Sequence, residues 1–96
     1  MKSHWPFDQG PKVAAVTSRQ VLEQNLPILR VVHYSDDASW AFTCGTTNDS
    51  EDIRIVAMEE MLNLDNSIVQ IADLPPGWGA SRTVANGPWS KYQLGA

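Results

Sequence analysis

The sequence predicts an α+β fold, a small and mainly antiparallel sheet built around a central hairpin with short helices on one face. Residues 28–44, ILRVVHYSDDASWAFTC, supply the first observation: two runs rich in β-branched and aromatic residues flank the turn formers Asp36, Asp37, Ala38 and Ser39. Short helix signals on both sides of this stretch are the second. The third is scale: 96 residues with 43% hydrophobic and 19% charged fit one α+β domain with a modest core.

At the N-terminus, Trp5-Pro6-Phe7 and Gly10-Pro11 predict an irregular arm, because each proline holds the preceding residue extended. Residues 13–16 are short and apolar enough for a strand. Thr17 and Gln20 have the spacing of a capping box, so a helix is expected over residues 18–24. Asn25 can take the left-handed position that ends it, Leu26 can fold back on Val21, and Pro27 forbids continuation.

In the hairpin, a loop centred on Asp37 and Ala38 sets Ser35 opposite Trp40, His33 opposite Phe42 and Val31 opposite Cys44. Alternation then places Leu29, Val31, Trp40, Phe42 and Cys44 on one surface, the expected core. The reverse surface, with Ile28, Arg30, Val32, Tyr34, Ala41 and Thr43, is too apolar for full solvation, which calls for partial cover by a loop or a partner.

Residues 45–52 form a polar, acidic loop whose side chains bond to their own backbone. Residues 53–56 match both strand alternation and helical spacing, and the strand is preferred, followed by a helix over residues 58–63. Asp65 is placed to cap a second short helix carrying Ile68, Ile71 and Ala72, which Leu74-Pro75-Pro76-Gly77 terminates. A final strand is expected over residues 78–84, then a turn at residues 86–89 and a loose C-terminal tail.

Composition excludes more than it identifies. A net charge of −4 with seven scattered basic residues argues against a binder of nucleic-acid backbone, whose affinity comes from clustered Lys and Arg. One cysteine and two histidines cannot build the usual zinc site, and no disulfide can form within the chain, so the expectation is no metal, no cofactor and a reducing cytoplasm. No apolar run reaches the roughly 20 residues of a membrane span, and residues 1–12 lack the apolar core of a secretory signal.

Candidate sites compete with plainer roles. His33 and Cys44 fall diagonally on one face, a base and a thiol of the types that nucleophilic catalysis pairs, but a lone buried thiol usually packs as a small hydrophobe. The acidic groups Asp36 with Asp37, and Asp49, Glu51 and Asp52, offer oxygen ligands without calcium-loop spacing, so turn formation explains them. Trp5, Trp78 and Trp89 stand beside Pro or Gly, as rigid binding surfaces do and as lids over thin cores also do. For Trp78 the expectation is burial, with its indole N–H bonded to backbone. The binding residues expected are Asp36, Asp37, Arg82 and Trp89, with Arg82 reaching outward to stack or pair with an anion.

The order WPFD, VVHYSDDASWAF, then LD-N-S-I and ADLPPGWGASR resembles a family of small uncharacterised bacterial proteins associated with the predicted immunity proteins of toxin systems. The match is most specific at residues 33–42 and 72–82, and weakens locally where Ala38-Ser39 replaces a turn glycine. The resemblance implies a cytoplasmic, non-enzymatic protein that neutralises a toxin by binding it. An acidic binder suits a basic toxin-like partner, since complementary charge speeds encounter. Two other readings stand beside it: a small-ligand module for sugar or peptide using the Trp/Arg surface, and a cysteine-dependent enzyme using Cys44.

Overall fold

A computed structural model describes residues 5–45 and 50–94. The middle of the acidic loop, residues 46–49 with the candidate ligand Asp49, lies outside the described residues. Six strands form one sheet: β1 (Ala14–Ser18), β2 (Arg30–His33), β3 (Trp40–Thr43), β4 (Ile53–Ala57), β5 (Trp78–Ser81) and β6 (Ser90–Gln93). Their spatial order is β4-β1-β3-β2-β5-β6, and every neighbouring pair is antiparallel except β1 with β3. The α+β expectation is met, with the hairpin of β2 and β3 at the middle of the sheet.

The chain is forced under one face of that sheet. β4 is an edge strand and β5 lies four places away, so residues 58–77 must traverse the sheet to connect them. Helix α2 (Met58–Leu64) and a 3₁₀ helix (Asn66–Ile71) make this crossing, and helix α1 (Arg19–Glu23) connects β1 to β2. The traverse lays Met58, Met61, Ile68, Ile71 and Leu74 against Val31, Trp40, Phe42 and Ala80, all buried in a single cluster. Phe7 of the arm closes this core, edge-on to Trp40 with ring centroids 5.0 Å apart.

Local chemistry explains the element ends. Ser18, one residue after the expected Thr17, caps α1 by accepting from the Val21 amide, while Thr17 stays in β1 and donates its buried hydroxyl to the Phe42 carbonyl at 2.6 Å. Asn25 is left-handed with φ of 57°, as its position after α1 predicts. The Asp65 carboxylate accepts from the Ser67 amide and starts the 3₁₀ helix. Gly77, with φ of 86°, makes the turn into β5.

The structure corrects the hairpin register, the residues just ahead of β2 and the C-terminal tail. The hairpin pairs His33 with Trp40 and Val31 with Phe42, a slip of two residues from the expected register. Its loop centres on Asp36 and Asp37: the Tyr34 amide bonds the Ser39 carbonyl, the two aspartates accept from the Asp37 and Ser39 amides, and Ala38 takes φ of 60°. A slip of two preserves side-chain parity, so the core face keeps Val31, Trp40, Phe42 and Cys44, but ahead of β2 the parity breaks: Ile28 turns inward instead of joining the reverse face, and Leu29, expected in the core, is only half-buried outside the cluster. The C-terminal tail is not loose, because β6 pairs with β5 and adds the sixth strand.

Candidate functional site

The face of the sheet opposite the helices carries a row of residues in direct register. From β4 to β6 it runs Ile55, Val16, Ala41, Val32, Gly79 and Tyr92. The row is apolar across all six strands and no helix among the described residues covers it, although Val32 and Ala41 at its centre are only 9% and 6% exposed. Ile55 is 60% exposed and Ile53 beside it 50%. Towards the other edge the row closes on itself, because a methyl group added at Gly79 would stand 2.7 Å from the Tyr92 ring, whose phenol end therefore packs against the glycine. This fills the space that a missing side chain leaves in the middle of the sheet.

A neighbouring row is polar. It holds Ser18, Arg30, Ser81 and Ser90, and between the two rows a hollow of about 240 Å³ opens, bordered by Val16, Arg30, Val32, Thr43, Asp52 and Ile53. Arg30 is exposed and makes no ion pair with any described residue, whereas Asp52 is held by Arg19 at 3.0 Å and by the Gln20 amide at 2.9 Å. The hairpin tip borders a second hollow on this side, between Tyr34, Asp36, Gly77 and Leu94.

The edge at β4 is guarded. Val56 and Arg54 direct their backbone groups towards β1, which leaves those of Ile53, Ile55 and Ala57 facing outward. The Arg54 guanidinium folds back onto the Ile53 carbonyl at 3.0 Å, and Glu60 accepts from the Ala57 amide at 3.4 Å. Caps of this kind discourage pairing with a foreign strand, so contact is directed to the face of the sheet and away from its edge.

The residues expected to bind are scattered. Asp36 and Asp37 are exposed at the hairpin tip, where both also build the loop. The amide and hydroxyl of Ser39 hold the Asp37 carboxyl below its usual range. Arg82 corrects the expectation of an outward contact, for its side chain is 0% exposed. It lies on the helix side of the sheet, donating to the Ile28 carbonyl at 3.0 Å, Ser67 Oγ at 2.9 Å and Asp65 Oδ2 at 2.8 Å. Trp89 covers it, with the guanidinium carbon 4.1 Å from the ring centroid. This pair braces the core and offers no open platform. Trp78 is half-buried against the core, and its indole makes no hydrogen bond with a described residue, contrary to the expected backbone bond.

Nor does the hairpin assemble a thiol–imidazole pair. His33 lies opposite Trp40, and Cys44 stands four residues further along the chain, roughly 13 Å away at strand spacing. Among the described residues no three potential metal ligands gather, and no helix is long and apolar enough to cross a membrane. The sequence signal for the open face was present in Val32, Tyr34, Ala41 and Thr43. The contributions of β4 and β6 were hidden because they depend on pairings remote in sequence.

Geometry defines the class as a small α+β domain with one covered and one uncovered sheet face. Comparison of the chain with protein-family models, with curated proteins and with solved structures finds no match.

Proposed function

We propose that this is a non-enzymatic protein-interaction module that docks through the uncovered sheet face, in the manner of an immunity protein that neutralises a toxin. The observation that carries this reading is the exposed apolar pair at the β4 end of that face, Ile55 at 60% and Ile53 at 50%, continuing an apolar row whose central residues Val32 and Ala41 are 9% and 6% exposed. Exposed large apolar side chains grouped beside polar ones are a usual mark of a protein contact. A net charge of −4, with Asp36 beside the face, favours a basic partner.

The test is co-expression with the toxin-type product of a neighbouring gene. Growth rescue by the parent protein, lost in Ile55→Asp while folding is retained, supports the reading. Equal rescue by the variant excludes this face, and the absence of any toxin-type neighbour across source genomes weighs against the immunity role as a whole.

A further inference from the structure

The two edges of the sheet are finished differently. At β6 the Leu94 amide donates to the Gly77 carbonyl at 2.8 Å, so in the antiparallel ladder Tyr92 and Ser90 also point their backbone groups towards β5. Lys91 and Gln93 therefore turn their N–H and C=O groups outward, beyond the last strand of the order. The guard at β4 has no counterpart here, for among the described residues no side chain folds onto these groups. The side chains that flank the edge lean away from it. The Lys91 ammonium is drawn to Asp73, ahead of β5 in the chain, at 3.2 Å, and the phenol end of Tyr92 packs against Gly79 in β5. An edge left open in this way is a template for another strand.

We propose that β6 is the seam of a homodimer, in which a second copy of this chain adds its own β6 antiparallel and joins the two sheets into one. Pairing about a two-fold axis keeps the helix sides of both copies on the same face, so residues set opposite each other must share parity. A register that set Lys91 against Lys91 would bring like charges directly opposite, which destabilises a sheet. Centring the axis on Tyr92 avoids this. Lys91 then faces Gln93 of the second copy, and each such pair exchanges both of its backbone hydrogen bonds. Of the antiparallel registers, this one engages every outward group within β6 of both copies. Tyr92 meets Tyr92 in the intervening pair, with both rings drawn back towards their glycines. The apolar row of the uncovered face then continues across the seam, from the β4 edge of one copy to that of the other. Both outer ends keep their guards, so assembly closes at two copies and does not run on into a filament.

The seam is short. Four residues make an edge of about 14 Å, which holds the buried area below the roughly 1,200 Å² of standard interfaces, and two copies of net charge −4 repel each other. The pair is therefore a weak and exchanging one, favoured by concentration and by salt. It does not depend on the docking role of the uncovered face.

The test is sedimentation equilibrium of the full chain from about 1 μM to about 1 mM in about 0.15 M salt, a span that covers weak complexes. The mean mass should rise from 10.6 kDa towards twice that value. Gln93→Pro removes only an outward N–H, which an edge strand tolerates, and should hold the chain at the monomer mass. Gln93→Glu sets a carboxylate opposite Lys91 of the second copy and should tighten the dimer at least about two-fold, whereas Gln93→Lys should weaken it by as much, the contact being made twice. These two charge variants decide the matter where the proline variant fails to fold. A parent that stays monomeric throughout the range overturns the proposal. So does a dimer that responds equally to both charge variants, or one that a folded Gln93→Pro variant leaves intact.

Discussion

Replacing Arg82 with alanine tests the helix side of the sheet most severely. The substitution removes three donors at once: the Ile28 carbonyl, itself in a buried residue, loses its side-chain donor, and Ser67 and Asp65 lose a charged partner. An orphaned buried acceptor costs about 1–3 kcal/mol. Losing the Trp89 stack adds about 0.5–2 kcal/mol. Asp65 remains partly solvated and satisfied by Ser67, so its share is small. Together these give about 2–5 kcal/mol, which overlaps the range for breaking a buried ion pair by removing one member. At about 4–8 °C per kcal/mol in a domain of this size, the melting temperature should fall by at least about 8 °C. Urea denaturation followed by tryptophan fluorescence measures the free energy, and Trp89 reports the local change. A variant melting within about 2 °C of the parent would refute the reasoning, and an exposed arginine would behave in that way.

Phe42→Ala should cost about 3–5 kcal/mol, because its fully buried ring is stacked 5.9 Å from Trp40 and shielded by Phe7; calorimetry checks this. Changing both Asp36 and Asp37 to Asn should leave the melting temperature nearly unaltered and slow association with a basic partner at low salt, as stopped-flow measurements would show. With its carboxyl held below the usual range by Ser39, Asp37 contributes loop order that is present above the ordinary aspartate range and lost as pH falls through the lowered value; the Ser39 amide shift reports it. Gly79→Ala should displace the Tyr92 ring at a cost of about 1 kcal/mol, since the ring sits on an edge strand and can swing away, with tyrosine fluorescence and ring NMR shifts as the measure.

Much of the architecture was legible because it is written locally. The Asn/Pro punctuation after α1, the Asp65 cap and the alternation of the hairpin each act within a few residues and predict their elements, whereas the spacing puts the cap that starts α1 on Thr17, one residue before Ser18. The register was missed because two adjacent aspartates can centre the loop at either of two points, and their own backbone bonds decide between them. β6 was missed because SKYQ has little strand character by itself; it is held by β5 and by the phenol end of Tyr92 packed against Gly79. Arg82 was misread for a related reason, as its partners at Ile28, Ser67 and Asp65 come from three separate segments. A lone arginine in a sequence carries no sign of such an enclosure.

The strand order also sets a sequence of events for the folding chain. Two antiparallel pairs close through short connections, β2–β3 at the centre of the finished sheet through residues 34–39 and β5–β6 at one edge through residues 82–89. β1 must add to β3 and β5 to β2 across longer stretches of chain, and β4 has nothing to pair with until β1 is in place. Closing short loops first is entropically cheap, so the central hairpin should nucleate and β4 should join last. Amide hydrogen exchange should then grade outward, slowest in Val31 and Phe42, fastest in Ile55 and Lys91. The broad apolar row would thus be completed only at the final step, leaving the nascent chain little time with that surface assembled and unguarded.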